Sequence, residues 1–339
     1  MKIAVLSYLA TYGNAPTLAR AFSDLGHDVR LILRYRNHED HTDFGFIDEF
    51  PCMQIEKEHD CKEAIDWVAD ADRIIVIGMP SLLWVLPRVI DKPVDFVREK
   101  GGAIILSSSH LMLGMQSWHR EIKKSGLSPA EWNQGRIRKS GLTVFIQPHK
   151  KTYIGDIEAH CWYPPIPSIQ VNIAPSNKIV IGHSPGKKNR WHWKGTEEIQ
   201  NTLECLCNKY PKVEYEILDE TQHTECCEAR RGWHICIDQI CLAHDVLGQK
   251  QYCGGLDKSG LEGMAAGCAV ITSGGPLIFG DEFPRPPVII TGHNQLQFAL
   301  DALIQDSQRI SDMGNAGREW VQKYCDPKFV ANRILEIIK

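Results

Sequence analysis

The 339-residue sequence carries little excess charge and few of the spacing motifs that would commit it to a common chemistry. Lys and Arg number 38 against 42 Asp and Glu, a net charge of −4. That balance supplies no global field for nucleic acid. No apolar run of membrane-spanning length and no signal-peptide pattern appears, so a soluble, cytoplasmic protein without a transmembrane segment is expected. The twelve cysteines never form a C-x-x-C pair: Cys205 with Cys207, Cys226 with Cys227 and Cys236 with Cys241 all miss that spacing. Structural zinc is therefore unsupported by spacing, and reduced, mostly structural thiols are expected in so long a chain. The first strand-to-helix loop, Ser7 to Asn14, holds one glycine, Gly13, and lacks G-x-G-x-x-G. This argues against a nicotinamide-dinucleotide domain and an oxidoreductase. Neither an internal repeat nor an obvious Ser-His-Asp or paired-carboxylate constellation stands out.

What is present is a β/α alternation from end to end. Apolar strands are read at Lys2 to Tyr8, His27 to Leu33, Arg73 to Gly78 and Ala103 to Ser107, with helices at Pro16 to Leu25 and Ala64 to Ala69. Pro164, Pro165, Pro167 and Pro175 then break the rhythm. The pattern restarts with strand Lys178 to Gly182, helix Gly195 to Lys209, strand Val213 to Leu218 and, after the segment below, Pro287 to Thr291 and helices from Asn294 onward. Hydrophobic residues make up 43% of the chain, enough for two cores. The fold class expected is α/β, two Rossmann-like doubly wound domains facing a cleft. The boundaries expected are 1–163, a proline-rich linker 164–177, and 178–339, with the last helix able to pack back on the first domain.

The most informative stretch runs from Ile235 to Ser273. It reads as strand Ile235 to Ile237, a glycine-rich turn Cys253 to Gly260, helix Leu261 to Ala266 capped by Gly267, and strand Cys268 to Thr272. Glycines let the backbone approach a ligand, and N–H groups at a helix start face an anion such as a diphosphate. Glu262 then has two readings. It accepts hydrogen bonds from the paired hydroxyls of a ribose, or it merely complements the helix dipole as a first-turn acid.

The run Gly260-Leu261-Glu262-Gly263-Met264-Ala265-Ala266-Gly267-Cys268-Ala269-Val270-Ile271 resembles the donor-site signature of retaining GT-B glycosyltransferases of family 4. Asp238-Gln239 resembles the D-Q that precedes this loop in one branch of that family, Leu25-Gly26-His27-Asp28-Val29 its L-x-x-x-G-H-x-V, and Gly314-Asn315-Ala316-Gly317-Arg318 its closing helix. The resemblance implies a GT-B fold and transfer of a hexose or pentose from a nucleotide-diphosphate sugar, a co-substrate with no other cofactor. It further implies retention at the anomeric carbon by a front-face, ion-pair-like route in which the departing phosphate helps deprotonate the acceptor. It places Glu262 on the ribose, and Ser184, Gly255, Asp257, Ser259, Gly260 and Leu261 around the donor. Lys194, of a K-G-T step, and Arg190 are implied on the two phosphates, where they lower charge build-up on the leaving nucleotide in place of a metal ion. Many members carry two glutamates eight positions apart, and the first would fall on Gly254; Asp257 is the carboxylate of the same loop available to stand in for it. The loop of Tyr12, Gly13 and Asn14 is implied on the acceptor side, and His110, after a strand end, on the donor sugar. His110 also reads as a loop histidine satisfying local carbonyls. A binding module of the same fold without catalysis is the alternative that Gly254 keeps open.

Metal-dependent glycosyltransferases of the other common fold use D-x-D, found here only as Asp70-Ala71-Asp72 between a helix end and a strand start. No essential metal is expected. Arg120, Lys123, Lys124, Arg136, Arg138, Lys139, Lys150 and Lys151, interleaved with Trp118 and Trp132, face only Glu121 and Glu131. This segment suits an anionic acceptor, including a phosphorylated sugar, a lipid head or modified DNA, or else a solvated crossover between domains. Donor base, acceptor and oligomeric state stay open.

Overall fold

The structure is a computed structural model that describes residues 1–7, 13–33, 52–54, 61–78, 93–106, 124, 126–127, 129–148, 154, 156–169, 177–186, 194–240, 243–246, 249–252, 254–274 and 282–339. Two compact units emerge, Met1–Pro165 with Pro327–Lys339, and Ile166–Asp326.

The first unit contains β1 (Lys2–Ser7), α1 (Asn14–Asp24), β2 (Asp28–Leu33), β3 (Cys52–Gln54), α2 (Cys61–Asp70), β4 (Arg73–Ile77), α3 (Pro93–Glu99), β5 (Ala103–Leu106), α4 (Pro129–Ser140), β6 (Thr143–Ile146) and β7 (His160–Cys161). The strands form one parallel sheet in the order β3-β2-β1-β4-β5-β6-β7. Each central strand is apolar along its length because helices cover both faces, which splits the core into two layers. One layer holds Leu18 and Phe22 of α1 against Val330, Ala331 and Ile334 of the C-terminal helix Pro327–Ile337. That last helix thus belongs to the first unit. Trp162, two residues before the expected linker, is buried in the same layer. Asp70 ends α2, and the Asp72 carboxylate accepts from the Lys2 N–H at 2.8 Å, which gives the D-x-D a structural use. Part of the basic segment is the helix α4: Ile137 is buried, Arg136 stacks over Trp132 at 4.8 Å, and Arg138 pairs with Asp156.

The second unit contains β8 (Ile179–Gly186), α5 (Thr196–Lys209), β9 (Val213–Asp219), α6 (His223–Arg230), β10 (Ile235–Ile237), β11 (Ala243–Val246), β12 (Gln249–Tyr252), α7 (Lys258–Ala265), β13 (Ala269–Thr272), β14 (Ile289–Ile290), α8 (Leu296–Ile304) and α9 (Ser307–Tyr324). Five strands form a parallel sheet in the order β14-β13-β10-β8-β9, and β11 and β12 make a separate antiparallel hairpin. Three departures from the sequence reading matter for the site. β8 continues past Gly182 to Gly186, because His183 and Ser184 are buried and stay paired with β9 through a bulge. α7 starts at Lys258, so Glu262 lies in its second turn and cannot serve as a first-turn acid. α6 was not anticipated at all. On α9, Gly314 approaches α7's cap so closely that a Cβ would stand 2.0 Å from the Gly267 carbonyl oxygen.

Among the described residues no helix is long and apolar enough to cross a membrane. Cys161, Cys205, Cys207, Cys226, Cys227, Cys236, Cys268 and Cys325 are unbridged.

Candidate functional site

In the second sheet the chain order reverses between β8 and β10, and open α/β sheets bind ligands at the carboxyl ends of strands at such a reversal. His183 and Ser184 stand at that end of β8, and Asp238 follows β10 directly. His183 is fully buried, with Nδ1 2.8 Å from the Ile237 carbonyl oxygen and Nε2 2.9 Å from Thr196 Oγ1. A carbonyl only accepts, so Nδ1 carries the proton and the Thr196 hydroxyl donates to Nε2. Burial holds this imidazole down to about 4, so it is neutral and ties β8 to β10 and to the first residue of α5.

Lys194 and Gly195 immediately precede α5. The Ile240 N–H donates to the Lys194 carbonyl at 2.9 Å, which draws the two backbones together. Gly195 has φ 70° and a Cβ there would lie 2.0 Å from the Ile240 carbonyl oxygen, so glycine is required on both counts. The result fixes the base of the Lys194 side chain. Its ammonium sits 3.3 Å from Asp257 Oδ2 and 3.6 Å from Asp238 Oδ1.

Asp238 and Gln239 shape the glycine loop from opposite sides. The fully buried Asp238 carboxylate accepts from the Asp257 N–H at 2.8 Å and also from the Gly260 N–H. Part of the anion-binding capacity of the α7 start is thereby used by the protein itself. Burial raises Asp238 above the usual carboxylate range although Lys194 pulls it down. Gln239 donates to the Gly255 carbonyl at 2.6 Å, and Thr272 Oγ1 donates to the same oxygen at 2.9 Å. Close approach completes the arrangement, since a Cβ on Gly260 would stand 2.7 Å from Leu256 Cδ1 and one on Gly263 2.8 Å from Cys236. Gly254 presses on β13's end in the same way: a Cβ would be 2.8 Å from Ser273 Oγ and 3.3 Å from its backbone. A side chain at the position of the absent first glutamate would therefore need Ser273 to move.

Glu262 is 4% exposed; two of its partners come from α6 and one from its own helix. His223 Nε2 lies 2.7 Å from Oε1, the Arg230 guanidinium 3.2 Å from Oε2, and Lys258 Nζ 3.9 Å from Oε1. Burial alone would raise this carboxyl, but Arg230, His223 and Lys258 outweigh it and hold it at about 2. Arg230 is 2% exposed; burial would lower it, and Glu262 holds it above its ordinary value. Its NH2 donates to Ser259 Oγ at 3.3 Å, while Nε and NH1 have no hydrogen-bond acceptor. Cys227, one turn from His223, places Sγ 3.4 Å from His223 Nε2, and burial together with Glu262 pushes its thiol up to about 12.

The structure thus brings Lys194, Ser184, Gly255, Asp257, Ser259, Gly260 and Glu262 around one strand end of the second unit. Ser184 is buried with Oγ 3.7 Å from Cys226 Sγ. Leu261 contributes neither side chain nor N–H to a ligand surface, because the side chain is fully buried and the N–H donates to the Asp257 carbonyl at 3.1 Å. In the first unit Gly13 takes the left-handed conformation ahead of α1, and Asn14, 6% exposed, has no hydrogen-bond partner for Oδ1. Tyr12, His110 and Arg190 lie outside the described residues. Sequence reading missed His223, Cys227 and Arg230. The signal available was the spacing itself, His-x-x-x-Cys-x-x-Arg on one helical face.

No protein-family model matches the chain, and no curated protein matches it by sequence. Solved structures do match in shape. The structure of Anabaena Alr3699/HepE in complex with UDP and glucose superposes with a TM-score of 0.65 at 11% identity, covering 100% of this chain and 99% of that one. A mutant of S. aureus TarM in complex with Fondaparinux, alpha-GlcNAc-glycerol and UDP gives 0.62 at 7% identity, with 100% and 99% covered. The chain has the GT-B fold. A glycosyltransferase from Rickettsia africae shares this GT-B architecture, with a TM-score of 0.57 at 12% identity over 100% of this chain and 98% of its own.

Proposed function

We propose that the chain is a glycosyltransferase of the retaining family 4 type, taking its sugar from a nucleotide-diphosphate donor bound at the second unit. The observation that carries this reading is Lys194, held at the sheet's reversal point beside the glycine loop that Asp238 and Gln239 tie down. Support comes also from the fold's solved relatives, since the HepE and TarM structures contain UDP. In this reading the donor diphosphate meets Lys194 in place of Asp257, Arg190 adds the second cation, and no metal is needed. Glu262 Oε1 exchanges His223 for the ribose hydroxyls while Arg230 keeps Oε2. Departure of the nucleoside diphosphate leaves positive charge on the anomeric carbon, the phosphate oxygen takes the acceptor proton, and the acceptor attacks from the same face. His110 contacts the donor sugar, and the loop of Tyr12, Gly13 and Asn14 serves the acceptor. The acceptor is a hydroxyl compound, anionic if Lys124 and Lys139 of the basic segment take part, and the protein works in the cytoplasm.

A charge-assisted hydrogen bond contributes about 1.5–3 kcal/mol, so Lys194→Ala should weaken nucleotide binding by roughly 10- to 150-fold. The test is turnover of labelled UDP-, GDP-, ADP- and CDP-sugars, by transfer or slow hydrolysis, in wild type, Lys194→Ala and Glu262→Ala. Turnover of one donor by wild type and its loss in both variants supports the reading. A second reading, a nucleotide-sugar-binding module without catalysis, is favoured by Gly254, where the crowding of Ser273 leaves the sugar end without the first carboxylate. Binding without turnover would select it.

A further inference from the structure

We propose that His223 Nε2, Cys227 Sγ and Glu262 Oε1 form a site for a thiophilic divalent cation of the zinc class, which competes with the nucleotide sugar for Glu262. These three atoms all lie within 4.8 Å of one another. Zinc–nitrogen and zinc–oxygen bonds near 2.0 Å and a zinc–sulfur bond near 2.3 Å give tetrahedral edges of about 3.3 Å for N···O and 3.5 Å for N···S. The Sγ···Nε2 distance of 3.4 Å already matches its edge, and the Nε2···Oε1 distance of 2.7 Å must open by about 0.6 Å. A small rotation of the His223 ring provides that much. The ring and thiol are one helical turn apart on α6, so both project from the same face toward α7.

The surroundings orient the ligands. Arg230 holds Oε2 at 3.2 Å and leaves Oε1 toward the ring and thiol, the kind of outer contact that positions a metal-binding carboxylate. Arg230 and Lys258 oppose an added cation, whereas the carboxylate and the thiolate formed on binding supply two negative charges. The thiol proton passes to solvent as the sulfur–metal bond forms, so each ion bound releases one proton. A thiolate and an imidazole select Zn2+ or Co2+ over Mg2+ and Ca2+, which prefer oxygen. Three protein ligands leave a fourth position open for water. The competition clause rests on the reading of Glu262 as the ribose acceptor; the metal site does not.

The test uses the full chain, stripped with EDTA and desalted, then titrated with Co2+. One equivalent should bind with thiolate-to-cobalt charge-transfer absorption and the intense visible bands of four-coordination. Those bands should vanish in Cys227→Ser, weaken at least tenfold in His223→Gln, and persist in Cys226→Ser, with far-ultraviolet circular dichroism confirming that each variant folds. Absence of a saturable band, equal bands in all three variants, or loss in Cys226→Ser with retention in Cys227→Ser would overturn the site. A second arm follows the thermal shift produced by UDP. Zn2+ should abolish it in wild type and leave it in Cys227→Ser. An undiminished UDP shift with the cobalt bands present overturns competition. If UDP gives no shift with or without metal and the cobalt bands appear, the donor-site reading fails and the metal site stands.

Discussion

Replacing Glu262 by Gln keeps the side chain's size and removes its charge, which leaves Arg230 as a buried cation 2% exposed. Two routes give the magnitude. The carboxyl is held at about 2 against an ordinary 4.5, and at about 1.4 kcal/mol per tenfold change in acidity that is worth about 3 kcal/mol. Breaking one side of a buried ion pair costs about 3–5 kcal/mol by general experience. The guanidinium is poorly placed to compensate, since Nε and NH1 already lack acceptors. Glu262→Gln should therefore destabilise the second unit by about 3 kcal/mol without metal, whereas Glu262→Gln with Arg230→Met should cost less than the sum of the single changes. The protein has two units, so a single unfolding transition is the wrong observable. Native-state hydrogen exchange read on peptides covering β10 and β13 isolates the relevant unit. A loss below about 1 kcal/mol for Glu262→Gln, well under the buried-pair range, or a double variant worse than additive, would refute the claim that this pair holds α6 to α7.

His183 makes the same unit sensitive to acid. Its folded value of about 4 lies below the ordinary 6.5, so the unfolded chain binds the extra proton and stability is lost as pH falls from 6.5 toward 4. Between pH 7 and 5 the loss should be about 2 kcal/mol, and hydrogen exchange on the β10 and β13 peptides should show a pH 7-to-5 loss smaller by about that amount in His183→Asn. Gly195→Ala meets the Ile240 carbonyl at 2.0 Å with φ 70° and should cost at least about 2 kcal/mol while weakening nucleotide binding through displaced Lys194, measurable by thermal shift. Asp257→Asn removes a negative charge 3.3 Å from Lys194, so calorimetry should find UDP bound several-fold tighter; a loss of transfer in the same variant would assign Asp257 to the sugar end. Gly254→Glu should not raise turnover, because its side chain must first displace Ser273.

Much of this was legible in the sequence because it depends on local patterns. Apolar strands flanked by helices gave the parallel sheets, and Lys194-Gly195 and Glu262, singled out by pattern, lie together in the second unit. The start of α7 was misplaced since Lys258 and Ser259 are polar and looked like loop. α6 escaped because its buried face is Cys226 and Arg230 rather than an apolar stripe, and Arg230 is buried only by virtue of a partner from another helix. Asp238 likewise looked like the end of a strand. Its hydrogen bond to Asp257 at the start of α7 depends on Gly260 packing so closely that a Cβ there would stand 3.0 Å from the Asp238 side chain, a tertiary fact. The placement of Pro327–Ile337 in the first unit, too, is set by its packing on α1.

The most direct test is calorimetric titration of the EDTA-treated full chain with UDP, GDP, ADP and CDP, compared with Lys194→Ala. Saturable one-to-one binding of one nucleotide, weakened in the variant by roughly 10- to 150-fold, is the predicted result. Equal affinity in wild type and Lys194→Ala, or no binding of any of the four by a folded wild type, would contradict it.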